Sequence, residues 1–289
     1  MIDVTSQAQA QAVAPPRVEA GRRSWRDMLL GAHSVLMYIF LYAPIVILVL
    51  FSFTTDSFGT RLTGFTLSWY TKLLQDERLI GAAINTLKVA VISTLVSTII
   101  GTLTALAMER YRFRGKTAFD ALLYLPIVIP EIVMGLALLA FFAFSFGLLE
   151  SVTGSRLKLS LTTVIISHIA FSISFVVVVV RASLKGFDRR LEEAAQDLGA
   201  NEWQTFWRIT FPLILPGIIG GALLAFTISL DDFIISFFTT GPGTSLLPVE
   251  VYSQVKRAVT PKINAISTLM LIISMTLVGL SQFIQRQRR

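Results

Sequence analysis

The chain has 289 residues, of which 54% are hydrophobic and 15% are charged, and its formal net charge is +7 at pH 7. A mean hydropathy of +0.69 is well above the values of soluble domains, so the composition favours a membrane protein over a soluble globular one. The sequence has no cysteine, which excludes disulfides and thiolate metal sites. The basic charge is compatible with nucleic-acid binding or with basic cytoplasmic loops, and the positions of the charges distinguish these two explanations.

Six apolar segments are long enough to cross a membrane, since a helix needs about 20 residues to span about 30 Å of hydrocarbon. In chain order they cover residues 33–53, 82–108, 119–146, 161–183, 213–236 and 264–284. The third contains Pro126 and Pro130, which remove backbone donors and favour a bend. Gly217 and Gly221 form a G-x-x-x-G face in the fifth, which predicts a close contact with another helix. The sequence therefore predicts an all-α membrane protein with six transmembrane helices.

The Lys and Arg residues of the loops predict how the chain is oriented. Residues 1–32 are polar and lack a short apolar core with a cleavage site, so we interpret them as a mobile tail before an uncleaved first helix. With the amino terminus inside, the inner loops and ends, including the basic end 286–289, carry 16 Lys and Arg residues, and the outer loops carry 8. This bias predicts that both termini of the 33–285 membrane domain are cytoplasmic. It also accounts for the basic net charge, so we expect no nucleic-acid partner.

Four of the charged residues within the predicted spans stand out, because an unpaired ionisable group there costs several kcal/mol. Lys88 lies near the outer end of its span, where its stem can snorkel to the surface. Glu131 follows a proline, so it has either a structural role at a helix restart or in a pair with Lys88, or a role in transport. Asp231 and Asp232 point about 100° apart on a helix, so one can structure the outer end while the other faces a wet cavity. Cation passage and a purely structural role both stay open for this pair.

The sequence contains no recognisable catalytic set. The RGKT stretch of Arg114–Thr117 resembles the end of a phosphate-binding loop, but Arg110 occupies the position of a required glycine and no strand precedes it. His33 and His168 lie far apart without a metal signature, so we expect packing or interfacial roles for both. No nucleophile elbow is present. We therefore expect that this chain is not an enzyme and binds no metal or cofactor itself.

A polar stretch, 186–217, interrupts the apolar sequence between the fourth and fifth spans. It predicts a helix over 188–198, a turn at Gly199 and a second helix over 201–210, with Asp188 and Asn201 as amino-terminal caps. The first helix is acidic, with Glu192, Glu193 and Asp197. The second has an aromatic and aliphatic face formed by Trp203, Phe206, Trp207 and Ile209. Anionic lipid disfavours an acidic helix, so the pattern favours a hairpin that docks into a protein groove in the cytoplasm.

The spacing within this hairpin resembles the EAA loop of ABC importer permeases. Three residues lie between Glu193-Ala194-Ala195 and Gly199, and nine residues lie between Gly199 and Ile209. Pro212 then follows Phe211, which occupies a position where leucine is usual. The resemblance implies the fold of a type I ABC importer permease and a coupling loop over 186–212 that is seated in a cleft of a cytoplasmic ATPase subunit. The residues implied in that contact are Glu193, Ala194, Ala195, Asp197, Gly199, Phe206, Ile209 and Pro212.

The resemblance extends over about 35–285 and includes the stretches "LPIVIPEIVMGLALL" and "FTISLDDFIISFFTTGPGTSLLPVEVYSQVK". These resemble the second permease subunit of spermidine/putrescine importers, which implies a bacterial inner-membrane permease for a polyamine or a related small cationic amine. The candidate pathway residues Asp231, Asp232 and Glu131 suit such a substrate.

The resemblance also implies the other parts of an importer. They are a second permease subunit, an ABC ATPase dimer that holds ATP and magnesium, and an extracytoplasmic solute-binding protein. Membrane lipid surrounds the permease subunits. Permeases for opines or amino-acid-like amines share much of the pattern. A secondary transporter is the alternative from another class, and the EAA spacing argues against it.

Overall fold

The computed structural model describes residues 25–59, 61–186 and 188–286, and every regular element in these ranges is helical. The helices are α1 (Trp25–Phe51), α2 (Ser68–Leu74), α3 (Glu77–Arg110), α4 (Lys116–Val128), α5 (Glu131–Thr153), α6 (Leu161–Lys185), α7 (Arg190–Asp197), α8 (Glu202–Thr205), α9 (Phe211–Asp231), α10 (Ile234–Thr239), α11 (Leu247–Val255) and α12 (Pro261–Arg286). A π-helical segment, Phe206–Thr210, joins α8 to α9. The chain divides into two units, Met1–Ile47 and Leu48–Arg289.

The first helix begins earlier than the apolar pattern indicates. Helix α1 starts at Trp25, so residues 25–32 of the expected polar tail are helical, and the boundary of the membrane domain at residue 33 stays a prediction. The reason is local, since Met28, Leu29 and Leu30 extend the apolar run towards the amino terminus. Asp27 in the first turn also stabilises the helix through its interaction with the positive end of the helix dipole. The rest of the tail, 1–24, lies outside the described residues.

Three long helices, α3, α6 and α9, pack against one another and form the core of the second unit. Their largest buried cluster is apolar and consists of Ala105, Leu106, Val176, Val177, Val180, Leu184, Ile214 and Ala225. Close approach of α9 to α6 depends on Gly217, because a Cβ at this position would lie 2.5 Å from Ser183 Cβ. One at Gly221 would lie 3.4 Å from Val176 Cα. The close helix contact predicted from the G-x-x-x-G face is confirmed.

The predicted third span, 119–146, is wrong as a single helix. The chain forms α4 and then α5, with Ile129 in an extended conformation between them (φ −69°, ψ 135°). Pro130 disfavours a helical conformation at the preceding residue and has no N–H to donate, so the bend expected at this proline is a complete break. Helix α5 starts at Glu131 and has 23 residues, enough to cross the membrane alone.

The predicted fifth span, 213–236, is also divided differently. Helix α9 ends at Asp231, Asp232 is extended (φ −64°, ψ 117°), and α10 follows as a separate short helix. At its other end α9 continues without a break from α8 and the π segment, giving one apolar helical run over Glu202–Asp231. The second helix of the hairpin, predicted to end at 210, is therefore the beginning of the fifth span.

Five helices of the described chain are long and apolar enough to cross a membrane. They are Trp25–Phe51, Glu77–Arg110, Glu131–Thr153, Leu161–Lys185 and the run Glu202–Asp231. The sixth predicted span, 264–284, lies within the 26 residues of α12. Of the predicted basic end 286–289, residues 287–289 lie outside the described residues. Five helices thus qualify as spans by length and composition, and the sixth span stays a prediction.

Candidate coupling hairpin and intramembrane polar site

The hairpin between α6 and α9 has the local structure that its sequence predicts. Gly199 has a φ of +87°, and the Ala200 N–H donates to Ala195 C=O at 3.0 Å, which is the helix-ending bond of a Schellman turn. Asn201 caps α8, because its Oδ1 accepts from the Gln204 N–H at 2.8 Å and the Gln204 side chain accepts from Asn201 N–H in return. Asp188 accepts from the Arg190 N–H at 3.0 Å but is not the cap predicted for the first helix, because α7 begins after Arg189, which makes no side-chain cap bond. The left-handed turn at the glycine and the cap at Asn201 are confirmed.

The residues implied in ATPase contact form a mixed exposed surface. Glu193, Ala194, Asp197, Gly199 and Pro212 are exposed, whereas Ala195, Phe206 and Ile209 are partly buried. Apolar side chains project beside them, with Leu198 90% and Trp203 69% exposed. Apolar groups rimmed by acidic ones on a short hairpin are typical of a protein-binding surface.

An aromatic cluster connects this surface to the membrane core. Phe206 packs against the buried core cluster of α3, α6 and α9. The rings of Trp207 and Phe211 lie 4.8 Å apart, and those of Phe206 and Trp207 lie 5.3 Å apart. Such pairs add to the stability gained by apolar burial, so the base of the hairpin is anchored where the fifth span begins.

The aspartate pair at the end of α9 divides between two environments. Asp232 is 7% exposed, and its carboxylate accepts from the Ile235 N–H at 3.3 Å and the Ser236 N–H at 2.8 Å, so it caps the start of α10. Asp231 is exposed, and its carboxylate accepts from Ser274 Oγ of α12 at 3.3 Å and 3.4 Å. The two side chains therefore point to different surroundings, as adjacent residues at a helix end do.

A buried histidine, for which only a packing or interfacial role is predicted, holds this helix break. His168 of α6 is 2% exposed and its Nε2 lies 3.3 Å from Asp232 Oδ2 and 3.1 Å from Ser236 Oγ. Its Nδ1 lies 2.7 Å from Ser229 Oγ, which in turn lies 3.2 Å from Ser93 Oγ of α3. The network links four helices, which fits the packing role expected for His168 and adds a hydrogen-bonding one.

Glu131 and Lys88, the other two of the four charges that stand out, lie on exposed surfaces. Glu131 is the first residue of α5 and is exposed, within electrostatic range of the Asp232 carboxylate. Lys88 is exposed on α3, and no ion pair joins it to Glu131 or to either aspartate in the described part of the chain. Its exposure is compatible with snorkelling, and the pairing alternatives are not formed in this structure.

A cavity of about 320 Å³ lies at the opposite end of α3 from the hairpin. Its charged lining residues are Asp76, Arg78, Glu250, Arg257 and Lys262. Glu250 is buried and pairs with Arg78 at 3.1 Å. The hydrogen bond from Lys262 is the main cause that lowers the pKa of Asp76, which also caps α3 through the Arg78 and Leu79 N–H groups. Within the described residues, no three His, Asp or Glu side chains are grouped to hold a metal ion.

A helical membrane bundle with a hairpin of EAA spacing defines a class of protein, the membrane component of a binding-protein-dependent importer. Residues 97–288 match the family described as binding-protein-dependent transport system inner membrane component, and the chain belongs to this family. It is 41% identical to the spermidine/putrescine transport system permease protein PotC of Escherichia coli K12, over 90% of this chain and 95% of that protein. It is 39% identical to the putrescine transport system permease protein PotI of the same organism, over 86% of each.

The fold is similar to that of a solved transporter. A chain of the bacterial alginate ABC transporter, crystallised in complex with an alginate pentasaccharide-bound periplasmic protein, matches with a TM-score of 0.70 at 22% identity. The match covers 92% of this chain and 98% of that one. The resemblance to polyamine importer permeases and the predicted fold of an ABC importer permease are confirmed.

Proposed function

We propose that this chain is a permease subunit of an ATP-driven importer for putrescine, spermidine or a closely related small cationic amine. The observation that carries the proposal is identity of about 40% to PotC and PotI across nearly the whole chain. Putrescine appears in the names of both relatives, so it is the first substrate to test. Permeation of an opine or an amino-acid-like amine is the alternative, and competition experiments distinguish it.

The exposed acids Asp231 and Glu131 suit a cationic substrate. In the described residues no lysine or arginine pairs with Asp231 or Glu131. A protonated amine loses hydration when it enters a low-dielectric passage, and an unpaired carboxylate offsets part of that cost. We assign Asp231 and Glu131 to the substrate pathway. Asp232 contributes to the same site by fixing the helix break that carries Asp231.

The hairpin is where ATP energy enters in this proposal. The coupling loop 186–212 docks on one subunit of a cytoplasmic ABC ATPase dimer, and ATP and magnesium bind to those partner chains. One hairpin serves one ATPase subunit, so a second permease subunit completes the translocation path. An extracytoplasmic solute-binding protein delivers substrate, as the periplasmic protein bound to the alginate transporter illustrates. Both termini are then cytoplasmic, consistent with the Lys and Arg bias of the loops.

Reconstitution tests the proposal directly. The permease pair, its ATPase and the solute-binding protein encoded beside it are placed in proteoliposomes, and uptake of radiolabelled putrescine is measured. We expect uptake that requires ATP, is inhibited by vanadate and is reduced by excess unlabelled spermidine. Uptake driven by an ion gradient without ATPase would instead identify a secondary transporter. Competition by an opine or an amino acid, but not by spermidine, would move the substrate to the alternative class.

A further inference from the structure

The cytoplasmic end of α3 contacts the hairpin through three polar residues, Arg110, Glu192 and Thr210, which we name the Arg110 clamp. Arg110 Nη2 donates to Glu192 Oε1 and, at 3.2 Å, to Thr210 Oγ1. The Thr210 hydroxyl also donates to Glu192 Oε1. Thr210 is fully buried, and 18% of the Glu192 side chain is exposed against 38% of Arg110. Each residue of the clamp therefore contacts the other two in a partly dehydrated setting, where such bonds are strong.

The clamp joins elements that are distant in sequence. Arg110 is the last residue of α3, Glu192 lies in α7, and Thr210 ends the π segment directly before α9. A second contact supports it, because Arg189 Nη2 donates to the Glu109 C=O at 3.0 Å. The first helix of the hairpin is thus attached to α3 and to the start of the fifth span, while its outward acid, Glu193, has no part in these contacts.

The π segment makes Thr210 a special point of attachment. The Phe211 N–H donates to the Phe206 C=O, five residues earlier, so the helix is locally wider at this position. Single π turns inside α-helices are rare and occur often at functional sites. From this point α9 runs 21 residues to Asp231, about 30 Å at 1.5 Å per residue. The clamp and the exposed aspartate are therefore at opposite ends of one helix.

We propose that Arg110 is a positioning residue for energy coupling. By holding Glu192 and Thr210 together, it makes α7 move with α3 and α9, so that a displacement of the hairpin reaches the outer ends of these helices. The inference rests on the proposed function, because it requires an ATPase that moves the hairpin. The new element is the contact that transmits this movement from the hairpin to α3 and α9. The rival explanation is a tether that only stabilises the fold.

Transport per ATP hydrolysed separates these two explanations. Arg110→Ala and Thr210→Val are compared with the unchanged chain in the full transporter, using radiolabelled putrescine and phosphate release. We expect normal retention of the ATPase on purification and ATP hydrolysis within about twofold, with at least a fivefold loss of putrescine transported per ATP, at the lower end of usual coupling energies. The matched control is Arg156→Ala, which removes the exposed Arg156–Glu150 pair (2.7 Å) and should leave the ratio unchanged.

Several results would overturn the inference. One is an unchanged ratio of putrescine to ATP in both variants. Another is a parallel fall of assembly, ATP hydrolysis and transport at constant ratio, which identifies a structural tether. If Arg110→Ala does not assemble, Arg110→Lys decides by the same ratio, since a single ammonium group does not reproduce the guanidinium fork. An unchanged chain that retains no ATPase contradicts the proposed function itself, and this inference with it.

Discussion

Two pairs of adjacent acids lie at the two ends of the fifth span, Glu192–Glu193 in the hairpin and Asp231–Asp232 at the helix break. In each pair one acid is held by the protein and the other is exposed. Glu192 accepts from Arg110 and Thr210, whereas Glu193 is exposed without such contacts. Asp232 is buried against His168 and two backbone N–H groups, whereas Asp231 is exposed.

The two pairs differ in how much their inward acid is buried. Glu192 contacts a partly exposed arginine near the surface, but Asp232 lies in a network that is almost closed to solvent. A buried group that loses its partner bears the full cost of desolvation, whereas a group near the surface recovers bonds to water. The inward acids hold their elements in place, and we propose that the outward acids contact partner or substrate.

The largest effect is expected from Asp232→Ala. It leaves His168 without its carboxylate and α10 without its cap, at a cost of about 1–3 kcal/mol for the unsatisfied groups. We expect a lower unfolding temperature and poor recovery of the purified complex. Asp231→Ala is the matched control, and its unfolding temperature should stay within about 1 °C of the unchanged chain, as for most exposed positions. Equal losses in both variants would contradict the division of roles.

A smaller effect, confined to transport, is expected from Asp231→Asn. The substitution preserves size and hydrogen bonding to Ser274 but removes the charge. We expect putrescine uptake to fall about tenfold, equivalent to 1.4 kcal/mol, with assembly and basal ATP hydrolysis preserved. Glu131→Gln should act in the same direction. If both variants transport at the rate of the unchanged chain, or lose activity only because the complex dissociates, the assignment of these acids to the pathway should be abandoned.

At the hairpin end of the fifth span, Gly199→Val is expected to strain the backbone of the turn. A valine at a φ of +87° costs about 1–2 kcal/mol, because its Cβ conflicts with the backbone in a left-handed conformation. We expect membrane insertion to survive, while ATPase retention and coupled hydrolysis fall severalfold. Gly147→Val in α5 is the control, since Gly147 is exposed and has no atom within 4 Å of an added Cβ. Normal uptake by the Gly199 variant would remove the main support for a docked hairpin.

Features of the hairpin could be predicted because their signals are local in sequence. Asn201 and Gln204 are three residues apart, and Gly199 lies two residues beyond the helix that it ends. The same holds for the apolar spans and for the G-x-x-x-G contact. Local signals also carried the family resemblance, since the EAA spacing lies within one short loop.

The long-range partners could not be predicted in this way. His168 and Ser229 are 61 residues apart, and Arg110 and Thr210 are 100 apart. A single histidine within an apolar run is compatible with many environments, and nothing in one sequence indicates which helix faces it. The sequence predicts a bend at Pro130 and a structuring role for one aspartate, but not complete helix breaks, because apolar residues continue on both sides of each position.

The smallest effect on transport is expected from single cysteines in this cysteine-free chain. Their labelling shows on which side of the membrane each acid pair lies. Thr63 and Arg112 are both exposed, and Arg112 lies just beyond the end of α3 that contacts the hairpin. Gly115 in the same loop is less suitable, because a cysteine would be strained at its φ of +87°.

An impermeant maleimide should label Thr63→Cys from the periplasm and Arg112→Cys only after the inner membrane is opened. Uptake should change by less than about twofold in either variant, as expected for exposed positions. Because Arg112 and Glu193 lie on the same side of the bundle, this result would place the outward acid of the hairpin in the cytoplasm. It would also place Asp231 near the side from which a solute-binding protein delivers substrate. Labelling of Arg112→Cys from the periplasm would reverse both positions, so that neither the ATPase contact nor substrate entry at Asp231 could be maintained.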